Sequence, residues 1–400
     1  MELKTNGVLM ILFLGALAAI APLSIDIGLP GFAATAEELG IPVSLMPQTL
    51  SVVLVGFSVG PLIFGPMADR FGRRPILLAG LIIFIIGGLG SAFSTDFAFM
   101  LGSRLVQGVG AGIAATMPFA IARDIYQGDE ARVRMSAITL VLGLGPIIAP
   151  ILGSVALNLS GWRCAYALLA VSGILSAVVA FFYFKESAPA TTQRLTWSSV
   201  MRNYRSVLIN PTFLRNTLVN AFSFSVMFAY IAGSPEVLTV DFGMSSGQYS
   251  LSFALTAGAL MCGSLLNGNL ALRGLPSAPI AKIANALVAL ASVTLTIITL
   301  CGELNAAIFV MAVALALLGV GLLSPNAIHD ALQPMGAMAG VATAVLRGIQ
   351  MVLAGCASAL VGMLQVGNSA LSTACVMSGF ALTSLLIQWA GARKQTLAAS

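Results

Sequence analysis

The sequence predicts an all-α membrane protein in which twelve transmembrane helices form two halves of six helices each. Two observations lead to this fold class. Hydrophobic residues make up 58% of the 400 residues and charged residues only 8%, whereas soluble domains contain about 25% charged residues. Long apolar runs recur along the chain, and about 20 apolar residues are enough to cross the hydrocarbon core of a bilayer. Lipid is therefore expected to be the main solvent of this protein.

The apolar runs define the predicted spans. Six lie in the first half of the chain, at residues 7–28, 46–68, 76–94, 97–121, 133–157 and 162–184. Six more follow at residues 216–238, 248–272, 279–300, 304–325, 335–360 and 369–390. The longest polar stretch separates the two sets. We therefore predict an N-terminal six-helix half at 1–184, a cytoplasmic linker at 185–215 and a C-terminal six-helix half at 216–400.

Charge placement predicts the orientation of the chain. Basic residues gather in alternate loops, which the positive-inside rule assigns to the cytoplasm; they are Arg70, Arg73, Arg74, Arg123, Arg132, Arg134, Lys185, Arg194, Arg202, Arg205, Arg215, Arg273 and Lys282. The opposite loops contain only Arg163 as a basic residue and are otherwise acidic. The apolar stretch after Lys4 is too long for a signal peptide and is interpreted as the first span. Both termini are therefore predicted to be cytoplasmic.

Several classes of function are disfavoured by the same composition. The net charge is +5, but the basic residues lie in short loops and form no surface that could follow a nucleic acid. Five cysteines show no CxxC spacing and there is one histidine, so we expect no metal site and no cofactor. No paired acids or Ser/His set stands within the spans. We expect a monomer in the lipid bilayer that handles small molecules and is not an enzyme.

The tight inner loop between spans two and three carries a distinctive run, GPMADRFGRRP, at residues 65–75. Its charged residues and turn glycine are Asp69, Arg70, Gly72, Arg73 and Arg74. A cytoplasmic loop alone would explain the arginines but not the acid and the glycines at this spacing. The run resembles the GxxxDRxGRR signature of the major facilitator superfamily. A weaker echo at residues 263–273, between spans eight and nine, agrees with an internal duplication.

Span four carries Arg104 and Gln107 in the run RLVQGVGAG. Arg104 lies about 10 Å inside the span at 1.5 Å per residue, and an arginine at that depth is costly unless it faces a cavity or a partner. The glycines that follow are interpreted as sites of close helix packing. The run resembles the proton-transfer signature of the same superfamily, RxxQGxGA. A buried arginine that serves folding alone remains the alternative.

Asp26, near the outer end of span one, is the candidate proton carrier. Its depth is compatible with contact to Arg104, and a titratable acid beside a fixed cation is the minimum equipment for proton coupling. The alternative is an interfacial aspartate that caps a helix end in water.

Span five is interrupted by Gly143, Pro146, Pro150 and Gly153, which are tolerated in membranes where neighbouring helices pack closely. This run resembles the antiporter signature of the superfamily, in a form close to AP-x-x-AP-x-x-G. That resemblance favours efflux over import.

Further runs indicate one family of drug:proton antiporters. They are Asp26-x-x-x-Pro30, a supposed turn at Ala232-Gly-Ser-Pro235, Asn326-Ala and the run AGVATA at 339–344. Together they resemble the bicyclomycin/chloramphenicol-resistance family. The resemblance implies the major facilitator fold, alternating access around a central cavity, and drug efflux driven by proton entry across the inner membrane. It also implies that the residues named in the inner loop and in span five act in the conformational cycle.

Two residues depart from that family, Glu236 and Arg347. Arg347 replaces a usual glycine about 16 Å from the inner face, where a lipid-facing charge is expensive. Snorkelling and an ion pair with an acid such as Glu236 are the alternatives. We expect Arg347, Gln107 and Asn326 to line the substrate cavity, and we expect Arg347 to favour anionic substrates. A dedicated exporter of one metabolite, such as a siderophore or an organic acid, therefore stays open beside drug efflux; an importer is less favoured.

Overall fold

A computed structural model describes residues 8–126, 128–187, 197–364 and 368–399. Over these ranges the chain forms fourteen α-helices, and twelve of the helical segments are long and apolar enough to cross a membrane. The predicted fold class is thus confirmed. The helices are α1 (Val8–Asp26), α2 (Phe32–Glu38), α3 (Pro47–Phe71), α4 (Arg73–Ala92), α5 (Phe97–Ile125), α6 (Gly128–Ser160), α7 (Trp162–Phe182), α8 (Trp197–Ile209), α9 (Pro211–Pro235), α10 (Ser246–Leu272), α11 (Ser277–Leu300), α12 (Ala306–Leu332), α13 (Ala339–Leu364) and α14 (Ser369–Ala399).

The chain divides into two compact units. The N-terminal unit comprises the residues up to Ile41 and Val52–Val200, and the C-terminal unit comprises Pro42–Ser51 and the residues from Met201 onwards. The boundary at Val200 falls within the predicted linker. That linker also contains α8 and the first turn of α9.

Each unit repeats the same pattern of helix pairs. In the N-terminal unit α1 packs on α6, α4 on α5 and α4 on α7. In the C-terminal unit α9 packs on α13, α11 on α12 and α11 on α14 in the corresponding order. This correspondence agrees with the internal duplication predicted from the echo of the inner-loop run.

Glycines allow the closest of these helix contacts. A Cβ on Gly108 of α5 would fall on the backbone of Val53 in α3, and one on Gly110 would fall on the backbone of Phe84 in α4. In the C-terminal unit a Cβ on Gly263 would likewise meet the Leu318 carbonyl. Backbone approach of this kind requires residues without side chains. The packing interpretation of the span-four glycines is therefore confirmed.

Pro325 lies inside a helix that the sequence predicted to end there. Span ten was predicted to stop at Pro325, but α12 runs on to Leu332. Pro325 has no N–H to donate to the Gly321 carbonyl, and Ser264 of α10 supplies the missing hydrogen bond at 3.2 Å. A neighbouring helix thus satisfies the backbone group that proline leaves open.

The run Ala232–Pro235 forms no turn, and the prediction of one was wrong. The helix α9 continues through Pro235 and is followed by a π-helical segment, Glu236–Asp241. Pro235 has no N–H to donate to the Ile231 carbonyl, and the Ser234 hydroxyl donates to that carbonyl at 3.4 Å. In the segment that follows, the N–H of Phe242 reaches back five residues to the Val237 carbonyl at 3.1 Å. Glu236 begins this segment.

Candidate functional site

Asp26 is the last residue of α1 and is buried in the N-terminal unit. Its exposed fraction is 2%, so it does not cap a helix end in water. The Oδ1 atom is buried, and among the described residues it has no hydrogen-bond partner. A short 3₁₀ turn, Leu29–Gly31, follows it and is buried as well. Asp26 is thus an acid held inside the protein with an open acceptor.

Arg104 on α5 is also buried, with 1% of its surface exposed. Its Nη2 donates to the Ser24 carbonyl at 2.7 Å, and its Nη1 donates to Oε1 of Gln107 at 2.5 Å. The arginine therefore contacts α1 two residues before Asp26, as the predicted depths required. Among the ion pairs of the described residues, none within 4.0 Å joins Asp26 to Arg104. The two charges share one buried region without a direct bridge.

Tyr166 on α7 completes this region, and sequence reasoning missed it. The Arg104 guanidinium lies 5.2 Å from the centroid of the Tyr166 ring, within the range of a cation–π interaction. A Cβ on Gly28 would lie only 2.7 Å from the Tyr166 hydroxyl oxygen, so the phenol sits against the chain just after Asp26. No motif marks this tyrosine in the sequence. We call Ser24, Asp26, Arg104, Gln107 and Tyr166 the Asp26 cluster.

The interrupted helix α6 packs on both sides of Asp26. A Cβ on Gly145 would fall on the Pro22 side chain, and one on Gly153 would fall on the Ile27 carbonyl. The antiporter-like run with Pro146 and Pro150 thus lies against the helix that carries the acid. Any change in the packing of α1 on α6 would act directly on the surroundings of Asp26.

At the end of the same unit that carries the run GPMADRFGRRP, Arg73 of α4 binds carboxylates of two neighbouring helices. Its Nη1 donates to Asp69 of α3 at 2.5 Å, and its Nε donates to Asp124 of α5 at 2.8 Å. The Asp69 side chain is 60% exposed, whereas the side chains of Arg73 and Asp124 are each 12% exposed. Asp124 lies 51 residues from Arg73 in sequence and was not predicted.

The start of α4 is capped by Glu186, a second residue that the sequence did not reveal. Its carboxylate accepts from the backbone N–H of Arg73 at 2.7 Å and of Arg74 at 3.1 Å, an arrangement that the helix dipole favours. Gly72 precedes these groups with φ of 100°, and a Cβ there would strike the Glu186 carboxylate. Arg74 in turn donates to the Phe181 carbonyl at 2.5 Å, while Arg70 lies exposed over Phe71.

Arg347 on α13 is exposed and bonds locally. Its Nη1 donates to Oε1 of Gln350 at 2.9 Å, and no ion pair of the described residues includes it. The exposed large apolar residues of α13 are Val352, Leu360, Met363 and Leu364. At 100° per residue, Arg347 projects about 140–160° away from the first three and about 100° away from Leu364. It therefore points away from the lipid-facing side of its helix.

Comparison with known proteins places this arrangement in a family. The sequence profile of the Major Facilitator Superfamily matches residues 8–359. The chain belongs to this superfamily. It is 26% identical over 374 residues to a bicyclomycin resistance protein homologue of Haemophilus influenzae, which covers 92% of this chain and 93% of the relative. It is 31% identical over 246 residues to the multidrug resistance protein MdtL of Citrobacter koseri, over 62% of each chain.

A solved structure of the superfamily supports the same fold. The D-xylose–proton symporter matches with a TM-score of 0.70 at 16% sequence identity, over 94% of this chain and 97% of the symporter. At that identity the likeness shows the fold alone. The chain is therefore a multi-pass transporter of the Major Facilitator Superfamily, similar in sequence to proteins named for drug resistance.

Two residues that we expect to line the substrate cavity make hydrogen bonds to other side chains of the protein. Gln107 is fully buried and holds the Arg104 guanidinium, so it belongs to the Asp26 cluster. Asn326 is 7% exposed, and its amide nitrogen donates to Asn267 at 2.6 Å and to the Leu322 carbonyl at 2.9 Å. The Asn326 amide thus joins α12 to α10, and a cavity-lining role for Gln107 and Asn326 stays a prediction.

Proposed function

We propose that this transporter exports small amphipathic molecules across the bacterial inner membrane in exchange for protons, by alternating access with both termini in the cytoplasm. Asp26 is the single observation on which the proposal rests. A carboxylate buried in a membrane protein with an open oxygen is costly when charged and unbridged. It is therefore suited to take up a proton in one state of the transporter and to release it in another.

The surroundings of Asp26 supply the means of coupling. Arg104 is held beside it by Ser24 and Gln107, so a movement of α1 by an ångström or two would change the distance between the two charges. The electrostatic energy of a buried pair depends steeply on that distance. The contacts of Gly145 and Gly153 with α1 would pass a movement of α6 to the acid. Proton binding and helix movement would thereby depend on each other.

The direction of transport and the class of substrate are inferred from similarity. Two relatives are named for bicyclomycin resistance and multidrug resistance, and span five carries an antiporter-like run. Both support efflux of lipophilic drugs or metabolites rather than uptake.

The test uses purified protein in proteoliposomes with an imposed pH gradient. We expect Asp26→Asn to abolish gradient-driven accumulation of a fluorescent efflux substrate such as ethidium, with folded protein retained. Asp96→Asn is the matched control, because Asp96 is exposed and caps α5 through the Phe99 N–H, a role that asparagine fills equally well. Normal accumulation against a gradient by the Asp26 variant would refute the assignment.

A dedicated exporter of one anionic metabolite is the second candidate, and Arg347 favours it. The arginine is exposed, lacks an acidic partner among the described ion pairs and points away from lipid. Arg347→Gly restores the residue usual in the resembled family. If Arg347 selects anions, this variant should export anionic compounds more slowly relative to cationic ones than the parent does. An unchanged ratio would exclude Arg347 as a selectivity element.

A further inference from the structure

The helix α9 carries buried polar side chains at three successive turns: Thr217, Asn220 and Ser223. Each is 0% exposed. Within the described part of the chain, both hydroxyls and both amide atoms of Asn220 lack a hydrogen-bond partner. Buried polar groups in proteins are almost always paired, and an orphan needs an explanation. In a transporter, such groups are expected where a ligand or water completes them.

The alignment of α9 along α13 shows which residues of α13 lie at the same level as Thr217 and Asn220. The Ser358 hydroxyl of α13 donates to the Phe228 carbonyl of α9, 130 residues earlier in the chain. Both helices run in the same direction in the C-terminal unit, because Phe213 at the start of α9 belongs to the same buried hydrophobic cluster as Val345 and Leu346 near the start of α13. An offset of 130 residues places Thr217 level with Arg347, and Asn220 level with Gln350.

Thr217 and Asn220 also lie on the face of α9 that meets α13. They follow Phe213 by four and seven residues, the spacing of one helical face, and Phe213 belongs to the buried cluster that contains Ala342, Val345 and Leu346 of α13. Ser223 follows Val219 by four residues, and Val219 packs against α11 and α12. Ser223 therefore belongs to a different face and is left out of the site.

The charges and donors at this level fit an anion. Arg347 is the only charged residue of α13, and the only one of α9 is Arg215, near its start. Neither helix contains an aspartate or a glutamate. The guanidinium, the Asn220 amide and the Thr217 hydroxyl are all hydrogen-bond donors. A guanidinium matches a planar carboxylate through two parallel hydrogen bonds.

We propose that Thr217, Asn220, Arg347 and Gln350 form a carboxylate-binding site between α9 and α13. Arg347 supplies the charge and is held by Gln350, and Thr217 and Asn220 supply the open donors. The apolar residues Phe213, Val345 and Leu346 nearby favour a substrate whose carboxylate is attached to an apolar body. This inference rests on the proposed export function and names the substrate class that the exporter recognises.

The test measures binding to the purified full-length protein in detergent. The probes are 2-naphthoate, 2-naphthamide and 2-naphthylmethylamine, which share one ring system and differ in charge. We expect the parent to bind the carboxylate about tenfold more tightly than the amide or the amine, as a charge-assisted contact permits. Arg347→Gln and Asn220→Leu should each reduce the preference to about twofold or less. Equal affinity of the parent for all three probes would overturn the proposal.

A matched pair of asparagines separates binding from packing. Asn285 on α11 is also fully buried, but its amide donates to Gln388 at 3.1 Å and accepts from Ser384 at 3.0 Å. Asn285→Leu should lower the melting temperature and keep the carboxylate preference. Asn220→Leu should keep the melting temperature, because no hydrogen bond is lost, and should remove the preference. The reverse pattern would assign Asn220 to packing and refute the site.

Thr217→Val provides a second variant of nearly unchanged shape, should Asn220→Leu fold poorly. It should weaken naphthoate binding and leave naphthamide binding unchanged; equal weakening of both would contradict the site. Because the binding assay needs no proton gradient, normal gradient-driven accumulation by the Asp26 variant refutes proton coupling alone. A missing carboxylate preference refutes the α9–α13 site alone.

Discussion

Arg104 donates a hydrogen bond of 2.7 Å to the carbonyl of Ser24, which is one of the last backbone acceptors of α1. Carbonyls in the final turn of a helix have no partner within the helix, and a cation there is favoured by the helix dipole. Arg104 therefore caps the helix that ends at Asp26. The same negative helix end disfavours a charged carboxylate at Asp26 when no bridge to Arg104 is made. The arginine thus has a structural role and an electrostatic role.

Arg104→Lys should separate these two roles. The parent uses two different guanidinium nitrogens for Ser24 and Gln107, and a lysine ammonium presents no such planar fork. We expect proton-driven transport to fall about tenfold, equivalent to about 1.4 kcal/mol, while the charge and the folded protein are retained. The measurement is the initial rate of transport in proteoliposomes at matched protein content. A parental rate would show that charge alone is sufficient.

Gly28 and Tyr166 should be coupled in a double-mutant cycle. A Cβ on Gly28 would lie 2.7 Å from the Tyr166 hydroxyl oxygen but 3.2 Å from the nearest ring carbon. Gly28→Ala should therefore destabilise the parent by about 1–3 kcal/mol, as overpacking does, and destabilise the Tyr166→Phe variant less. Unfolding in increasing denaturant measures all four proteins. Additive effects would mean that the phenol does not contact Gly28.

The fold could be read from the sequence largely because lipid imposes simple rules. Twelve apolar runs predicted twelve spans, and the structure confirms them. The glycines of span four were interpreted as sites of close helix packing, and the structure places Gly108 and Gly110 against the backbones of neighbouring helices. Helix ends were harder to place, because a hydroxyl on a neighbouring helix, Ser264 for Gly321, can satisfy the carbonyl that a proline leaves open.

The residues that contact Arg73, Arg104 and Arg347 could not be predicted from the sequence in the same way. Asp124 and Glu186 meet Arg73 across 51 and 113 residues, and neither stands in a motif. Tyr166 is an ordinary aromatic residue of a span until the fold brings it under Arg104. The open groups of Asn220 are visible only once its neighbours are known. A charged residue within a span thus indicates a site from the sequence alone. The neutral residues that contact it can be identified only from the tertiary structure.

The close approach of the Gly263 backbone to α12 leads to a further prediction about folding. A Cβ on Gly263 would fall on the Leu318 carbonyl. Gly268 lies five residues later on α10, is exposed, and a Cβ on it would meet no atom within 4 Å. Gly263→Val should therefore separate α10 from α12 and sharply reduce the yield of folded protein. Gly268→Val, the same change on the same helix, should leave the yield unchanged. Size-exclusion profiles of the two variants provide the comparison, and equal profiles would contradict the packing.

Asp69 and Asp124 bind the same arginine but should respond differently to mutation. Both pair with Arg73, yet the Asp69 side chain is 60% exposed and the Asp124 side chain 12%. An exposed ion pair contributes about 0.2–1 kcal/mol to stability, whereas loss of one partner of a buried pair costs about 3 kcal/mol or more. Asp124→Asn should thus lower the free energy of unfolding markedly, and Asp69→Asn should barely change it.

A function for Asp69 must then show in transport rather than in stability. The resembled superfamily implies that the run GPMADRFGRRP acts in the conformational cycle. Asp69 keeps its carboxylate largely exposed near the C-terminal end of α3 while still contacting Arg73. We expect Asp69→Asn to slow turnover several-fold, because an equilibrium between two states shifts tenfold for about 1.4 kcal/mol. Substrate affinity should change little, because Asp69 is distant from the Asp26 cluster. Gly108, next to Gln107 on α5, contacts Val53 of α3, and Asp69 lies 16 residues further along that helix. Rates and binding constants measured on one preparation decide the matter: a large loss of affinity at unchanged turnover would place Asp69 in binding instead.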